Sequence, residues 1–236
     1  MISSREYDEA ITIFSPDGRL YQVEYALELV KRGAPVAGVT SPEGIVLVAN
    51  ETVETSLQDP RYSWKIFQLD EHVGATIAGL GSDARVLIEQ ARLLCQQNKL
   101  LYDEPLDVEF LARTISDQAQ TYTQYAGVRP FGVSMIFGGV DKTGCRLFTT
   151  DPSGSYKGYM ATALGRKSEE AIAVLDKEYR DNLSLQESLD LALRTVKTAS
   201  EAEVTSKVIK AAVIPARTRL FRRLTNEEID SRLAQS

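Results

Sequence analysis

Hydrophobic positions recur at two different spacings along this chain, and the alternation of the two predicts the order of its elements. Four apolar residues near the N-terminus lie three or four positions apart and so share one face of a predicted helix. They are Leu20, Val23, Leu27 and Val30. Short β-branched runs then predict four successive strands, the first two joined by a hairpin turn at 41–44. The runs are 36–40, 45–49, 65–69 and 72–78.

Helical spacing returns after residues 79–81, where Gly79-Leu80-Gly81 predicts a tight turn from strand to helix. Ser82 is expected to cap the first of two helices, and Pro105-Leu106-Asp107 is expected to open the second. The apolar positions are Val86, Leu87, Leu94 and Leu101 in the first helix and Leu111, Ile115, Ala119 and Tyr122 in the second.

The second half of the chain repeats this order of elements. A hairpin is predicted from strands 133–139 and 146–150, followed by a third strand at 155–164, helices at 168–179 and 184–199, strands at 208–214 and 218–222, and a short helix at 226–229. Strands alternating with helix pairs imply an α+β fold in which helices lie outside two stacked antiparallel sheets. Without a Pro-, Gly- or Ser-rich linker, we expect one structural domain.

Composition and charge narrow the function classes. The chain has 236 residues, 43% hydrophobic and 25% charged, which is typical of a globular protein, and a net charge of −6 argues against nucleic-acid binding. No apolar run approaches the roughly 18 residues of a membrane span, and the N-terminus lacks the apolar region of an export signal. Cys95 and Cys145 are expected to be reduced, buried thiols, which favours the cytoplasm.

A search for catalytic groups gives few candidates. His72 is the only histidine and is interpreted as structural or solvated rather than catalytic, and Ser134 lies in an apolar strand and is interpreted as core. The carboxylates at 51–54 are interpreted as a solvated face, and no cluster of His or Cys suggests a metal. Lys65, beside Trp64 at the start of a strand, is the isolated cation that remains, either as a pocket residue or with its ammonium reaching solvent.

The stretch before the first strand carries the strongest local signals. Ser15-Pro16-Asp17-Gly18 predicts a turn, because Pro presets φ and Gly tolerates positive φ. Tyr21 and Tyr25 form an aromatic stripe on the helix that follows. Gly33, followed by Pro35, is expected to end that helix. The apolar faces of this helix must therefore be buried against another part of the protein or against a partner.

Residues 14–26, FSPDGRLYQVEYA, closely resemble the N-terminal signature of α-type subunits of the 20S proteasome, of the archaeal kind. The resemblance continues through residues 65–73, 79–87, 122–141 and 147–165. It implies the four-layer αββα sandwich of the N-terminal-nucleophile hydrolases with an extra N-terminal helix. Residues 1–33 would form the gate tail, turn and helix, and residues 34–236 would form the sandwich.

The resemblance also implies that this subunit is inactive by itself, although it is a component of a threonine-type endopeptidase complex. Catalytic β subunits expose an N-terminal Thr, whereas the equivalent strand start here carries Ala34-Pro35 and offers no hydroxyl. Lys65 is similar to the catalytic Lys of the β pattern but would lack its nucleophile. The alternative is a catalytic amidohydrolase of the same fold, which would need cleavage to expose a Thr, Ser or Cys.

The family's role is to form the seven-membered outer ring, to hold the β ring and to control the pore through which unfolded polypeptide passes. No cofactor is implied. The residues that match the gate are Tyr7, Asp8, Pro16 and Tyr25. Those that match the inter-subunit pocket for C-terminal tails of ATPase regulators are Lys65, Leu20, Gly33 and Gly79. Glu9 and Leu27 stand where the family commonly has Arg.

Overall fold

A computed structural model of the chain describes residues 12–51, 55, 57–59, 62–201 and 204–234. Tyr7, Asp8 and Glu9, and also Glu54 of the predicted carboxylate face, lie outside this part. The helices are α1 Tyr21–Arg32, α2 Gly81–Tyr102, α3 Val108–Tyr122, α4 Ser168–Glu178, α5 Leu185–Ala199 and α6 Asn226–Leu233. The strands are β1 Val36–Ser41, β2 Gly44–Asn50, β3 Ile66–Asp70, β4 Val73–Gly79, β5 Val133–Asp141, β6 Gly144–Thr150, β7 Tyr156–Gly158, β8 Ala161–Leu164, β9 Ile209–Pro215 and β10 Arg222–Arg223.

The strands form two antiparallel five-stranded sheets. The first has the order β10-β9-β2-β1-β8, and the second has the order β3-β4-β5-β6-β7. Each contains one of the predicted hairpins, closed by the pairs Ser41–Gly44 and Asp141–Gly144. The central strands β1, β2 and β5 are buried along their whole length, as expected for strands covered on both faces. The edge strands β7 and β10 have only three and two residues.

Three layers of apolar side chains hold the sheets and helices together. One lies between the second sheet and helices α2 and α3, another between the first sheet and helices α4 and α5, and the third lies between the two sheets. Gly38 and Gly138 allow the sheets to approach, because a Cβ atom would stand 2.9 Å from Leu147 and 2.6 Å from Ile45, respectively. The expected α+β sandwich with helices on both outer faces is therefore confirmed.

Helix α1 lies across one end of this sandwich and contacts β4 and β5. It buries Val23, Ala26 and Val30, and Val30 joins the layer between the sheets. Tyr25 and Leu29 remain 51% and 40% exposed on its other side. In the isolated chain, helix α1 is therefore only half covered.

Several predicted boundaries are wrong. The strand expected at 155–164 is two strands that belong to different sheets, since β7 pairs with β6 whereas β8 pairs with β1. The strand expected at 218–222 is reduced to β10. Ser82 does not cap α2, which begins at Gly81 after Leu80 and has no side-chain cap. The predicted cap at Asp107 is confirmed, because its carboxylate accepts from the Phe110 N–H at 2.9 Å.

The buried face of α2 also differs from the predicted one. Of the predicted apolar positions, Leu87 is buried, whereas Val86 and Leu101 are 39% and 74% exposed. The buried face consists of Asp83, Ala84, Leu87, Ile88, Ala91 and Cys95. Small residues occupy much of it, so the helix can lie close to the sheet. None of the helices in the described ranges has the length and apolar character needed to cross a membrane.

Candidate functional site

The predicted turn at 15–18 closes on itself through the main chain. The Gly18 N–H donates to the Ser15 carbonyl at 2.8 Å, and the Ser15 N–H donates to the Arg19 carbonyl at 2.9 Å. The Ser15 hydroxyl accepts from the Arg19 N–H at 3.1 Å. Gly18 has a φ of 76°, in the left-handed region that favours glycine. Pro16 therefore projects from a defined turn and is exposed.

An ion pair joins this turn to helix α1. The Arg19 guanidinium donates through Nε to both carboxylate oxygens of Glu24, at 2.9 and 3.1 Å, and also binds it through Nη2. This hydrogen bonding raises the pKa of Arg19 and lowers the pKa of Glu24. The guanidinium also lies 4.8 Å from the centre of the Tyr21 ring. A displacement of the turn would thus pull on helix α1 through the Arg19–Glu24 pair.

Of the predicted gate residues, the structure describes Pro16 and Tyr25. Both are exposed, Pro16 in the turn and Tyr25 on the outer side of α1. Phe14 is 66% exposed just before the turn. Tyr7 and Asp8 fall outside the described residues, so the assignment of the gate cluster stays a prediction.

The C-terminal end of α1 meets the end of strand β4 in very close contact. A Cβ atom on Gly33 would stand 2.7 Å from the main-chain nitrogen of Gly79. Gly79 itself has a φ of 113°, and a Cβ atom there would stand 2.3 Å from the Gly132 carbonyl oxygen. The Gly33 carbonyl in turn accepts from the Arg166 N–H at 2.7 Å. Gly33 and Gly79 thus meet in one tight junction, and their assignment to a pocket wall stays a prediction.

Lys65 points into this junction and is 7% exposed. Its Nζ donates to the Ala34 carbonyl at 2.7 Å and lies 3.3 Å from the Ile77 carbonyl oxygen. The ammonium therefore does not reach solvent. Of the two expectations for Lys65, the one in which its ammonium reaches solvent is wrong. Burial lowers the pKa of Lys65 to about 8, although the negative charge of Glu51 opposes this effect, and the positive charge of Arg166 adds to it.

Glu51 was missed by sequence reasoning, and its interpretation as part of a solvated face is wrong. The residue is 1% exposed. Its Oε1 accepts from the Lys65 N–H at 3.0 Å and from the Ser63 hydroxyl. Its Oε2 is buried without a hydrogen-bond partner among the described residues. The sequence signal was weak, because Glu51 directly follows the fully buried strand β2 but an acidic residue at the start of a polar stretch usually faces solvent.

Leu20, the fourth predicted pocket residue, lies at the opposite end of α1 from Gly33. It occupies the N-cap position, and its carbonyl accepts from the N–H groups of Val23 and Glu24. Thirteen helical residues rise about 20 Å. Within one chain, Leu20 therefore does not share a wall with Gly33, whereas Lys65, Gly33 and Gly79 come together.

The strand start beside Lys65 carries no nucleophile. Ala34 and Pro35 precede β1, and the Pro35 carbonyl accepts from the Asn50 N–H at 2.9 Å. The nitrogen of Ala34 is part of a peptide bond and so has no basic lone pair for nucleophilic chemistry. What the arrangement offers is a buried ammonium held by carbonyl oxygens, which suits recognition of an anion such as a carboxylate.

Other candidate residues have structural surroundings. His72 is 4% exposed, with Nε2 2.7 Å from the Leu106 carbonyl oxygen and Nδ1 3.6 Å from Asp70, so it joins two loops. Ser134 is buried in strand β5, as expected. Among the residues that the structure describes, no group of three His, Cys, Asp or Glu side chains could hold a metal ion.

A cleft of about 760 Å³ lies away from this junction, beside edge strand β3. Its lining mixes acidic and basic side chains, including Asp70, Glu71, Arg92, Lys99 and Arg223. Arg92 and Arg223 are already engaged, because they donate to the carbonyls of Gln68 and Ile66. We therefore do not assign a function to the cleft.

Comparisons with known proteins agree on one family. The family model described as proteasome subunit matches residues 30–214, and the model of the N-terminal signature of A-type proteasome subunits matches residues 7–28. A protein of Methanothermobacter thermautotrophicus named proteasome subunit alpha is 50% identical over 97% of this chain and 92% of its own length. Proteins of the same name from Methanopyrus kandleri and Archaeoglobus fulgidus are 47% and 45% identical, over 95% and 94% of this chain and 90% of each relative.

Proposed function

We propose, because this chain belongs to the proteasome α-subunit family, that it is a non-catalytic outer-ring subunit of the 20S core. The proteasome is an endopeptidase complex, and family membership implies assembly with other proteasome subunits. In the proposed function, seven α subunits form a ring on the β subunits, in the cytoplasm. The ring controls the access of unfolded polypeptide and binds C-terminal tails of ATPase regulators.

The observation that carries the docking proposal is the buried ammonium of Lys65 between the Ala34 and Ile77 carbonyls. An ammonium has three donor hydrogens, and two carbonyl partners leave one for an incoming anion. A terminal carboxylate would form a charge-assisted hydrogen bond, which is about twice as strong as a neutral one. Gly33 and Gly79 bring main-chain atoms, rather than side chains, into close contact near Lys65. These features suit a main-chain carboxylate better than a bulky ligand.

The distance between Leu20 and Gly33 supports a pocket between subunits. Since about 20 Å of helix α1 separates them, one pocket can include both only if Leu20 of one subunit faces Gly33 of its neighbour. The half-exposed side of α1, with Tyr25 and Leu29, supplies apolar surface for such a neighbour. Docking at Lys65 would then act on the turn at Pro16 through α1 and the Arg19–Glu24 pair, and so open the gate.

The docking proposal is tested by Lys65→Ala in assembled core particles. We expect the variant to form rings and to lose the stimulation of peptide hydrolysis by peptides that carry a free C-terminal carboxylate. Lys99→Ala is the control, because Lys99 is an exposed lysine on α2 whose removal takes away the same charge. Unchanged stimulation of the Lys65→Ala particle would rule out the assigned role of the pocket.

A catalytic amidohydrolase of the same fold is the second candidate, favoured by the fold and by the position of Lys65 beside the strand start. It would require cleavage before a Thr, Ser or Cys, whereas Ala34-Pro35 occupies the start of β1. Mass spectrometry of the purified chain distinguishes the two. An uncleaved N-terminus together with no peptidase activity until β subunits are added supports the non-catalytic role, and activity of the chain alone contradicts it.

A further inference from the structure

Glu51 is the buried acidic partner of the region around Lys65. The residue follows the last residue of β2, and its own N–H donates to the Val208 carbonyl at 2.6 Å. Its Oε1 binds the Lys65 N–H and the Ser63 hydroxyl, which in turn accepts from the Ile66 N–H at 3.1 Å. One carboxylate oxygen therefore fixes residues 63–65, which lead into strand β3. These residues place Lys65 at the junction between Gly33 and Gly79.

The second oxygen of Glu51 makes the arrangement unusual. Oε2 is buried and has no hydrogen-bond partner among the described residues. A buried carboxylate with an unpaired oxygen is costly unless a positive charge lies nearby. Lys65 supplies that charge, and the negative charge of Glu51 in turn raises the pKa of the Lys65 ammonium against the effect of burial.

The other charged groups near Lys65 do not replace Glu51. Arg166, in the loop before α4, repels the ammonium and is itself bound to Glu201 at 2.7 Å. Arg223 of β10 donates to the Ile66 carbonyl at 2.7 Å and adds a further positive charge beside β3. Among the described side chains that act on the Lys65 ammonium, Glu51 is thus the negative charge and Arg166 the cation that it opposes.

We propose that Glu51 is a positioning residue for the docking pocket: its carboxylate fixes the main chain at Lys65 and supplies the negative charge that keeps the ammonium ready for a carboxylate ligand. This inference rests on the proposed docking role of Lys65. With the main chain fixed through the Lys65 N–H, the ammonium stays on the Ala34 and Ile77 carbonyls and presents its third hydrogen to the ligand. Glu51 thereby determines the pH range in which a C-terminal carboxylate binds.

The test measures binding of a fluorescent octapeptide with a free C-terminal carboxylate to assembled rings between pH 6 and pH 9, with the C-terminal amide as reference. For the wild-type ring we expect the preference for the carboxylate to disappear as pH rises through about 8, where Lys65 loses its proton. Removal of a nearby opposite charge lowers the pKa of an ammonium by about one unit or more. In Glu51→Gln, the midpoint should therefore fall by about one pH unit, while binding at pH 6 stays within about twofold of wild type.

Two further variants make the result specific. Glu51→Asp keeps the charge and should keep the midpoint within about 0.3 pH units, a value well below the one-unit loss expected for the neutral variant. Glu178→Gln removes an equal charge from the remote Glu178–Arg194 pair and should change nothing. If Glu51→Gln does not form rings, Glu51→Asp provides the test. A pH midpoint of carboxylate preference that falls by a full unit in Glu51→Asp, despite the retained charge, contradicts the inference.

The outcomes separate this inference from the function on which it rests. If Lys65→Ala binds the carboxylate peptide as well as wild type does, the proposed docking site is wrong. If Lys65→Ala loses the preference for the carboxylate but Glu51→Gln keeps the wild-type midpoint, the docking site stands and the positioning role of Glu51 is wrong. Loss of binding by Glu51→Gln at every pH, including pH 6, also contradicts control by charge.

Discussion

Gly33 approaches Gly79 so closely that a Cβ atom built on Gly33 stands 2.7 Å from the main-chain nitrogen of Gly79. The φ of Gly33 is −62°, an angle that any residue adopts, so the close approach alone requires glycine there. Because the neighbouring atom belongs to the backbone, it cannot move aside as the end of a flexible side chain could. The junction beneath Lys65 therefore depends on the absence of one methyl group.

We expect Gly33→Ala to separate the end of α1 from the end of β4. Overpacking of this kind typically costs about 1–3 kcal/mol of unfolding free energy. Urea denaturation measures the loss, and tail-peptide binding should weaken in parallel. Gly81→Ala is the matched control, since no atom lies within 4 Å of its Cβ position. That variant should be neutral or more stable by up to about 1 kcal/mol, and equal destabilisation of both variants would contradict the role of the close contact.

The turn at Pro16 gives a second prediction, through Gly18. Gly18 has positive φ and open space around its Cβ position, so Gly18→Ala should cost about 1–2 kcal/mol through backbone strain alone. Gly18→Asn should cost less, because Asn adopts this conformation more readily. If the turn belongs to the gate, both variants should change basal peptide hydrolysis by the assembled core. Gly127→Ala, with a φ of 88° and equally open space, should have the same strain without the change in hydrolysis.

The third prediction concerns Asp83, which binds the Arg129 guanidinium at 2.6 and 2.8 Å and the Gly132 N–H at 2.8 Å. Burial is the largest single effect and opposes ionisation, but the hydrogen bonds from Arg129 and Gly132 and the charge of Arg129 together outweigh it and lower the pKa of Asp83. Asp83→Ala should cost about 1–3 kcal/mol because the buried Gly132 N–H loses its partner. Asp83→Asn should cost less, since its amide oxygen can still accept. The exposed Glu28–Lys31 pair provides the control, and Glu28→Gln should cost less than about 1 kcal/mol.

The pH dependence of the Asp83 variants follows from the direction of that shift. Because the folded pKa lies below the unfolded value near 3.9, the charge stabilises the protein fully above about pH 4 and ceases to do so as pH falls through the folded pKa. The difference in unfolding free energy between wild type and Asp83→Asn should therefore shrink on acidification below about pH 4. A difference that grows in acid would contradict the ion pair as its source.

The fourth prediction concerns the two cysteines. Burial raises the pKa of Cys95 to about 12, and burial together with the charge of Asp141 raises the pKa of Cys145. Cys95 is fully buried in α2, whereas Cys145 is half-buried and lines a cleft of about 430 Å³. Iodoacetamide at pH 8 should therefore alkylate Cys145 about tenfold faster or more, as measured by mass spectrometry. Faster labelling of Cys95 in the native protein would contradict this order.

Local patterns predicted the layers of the fold, whereas the choice of sheet for each strand required long-range information. The two hairpins are specified by short turns such as Asp141–Gly144, and the structure confirms both. Residues 155–164 read as one strand because Tyr159 and Met160 carry no turn signal. In the folded chain, the Tyr159 and Thr40 N–H groups bind the carbonyls of Leu147 and Met160, which directs β7 and β8 into different sheets.

The candidate site was predictable as far as its residues resembled a known family. Lys65, Gly33 and Gly79 were named from sequence, and the structure brings these three together. Glu51 was named only among the carboxylates of a solvated face, because its partner lies 14 residues away, across a polar stretch that predicts no contact. An acidic residue in such a stretch usually faces solvent. Only the folded chain reveals its burial.

The short edge strands also affect how copies of this chain can meet. Unpaired strand edges are templates for the addition of further strands, which leads to aggregation when many copies are close together. Strand β10 has two residues, both arginine, and β7 has three, so each presents few main-chain groups to another molecule. At these two edges, contact between crowded copies thus falls to side chains, which can specify one geometry, rather than to open-ended pairing of the backbone.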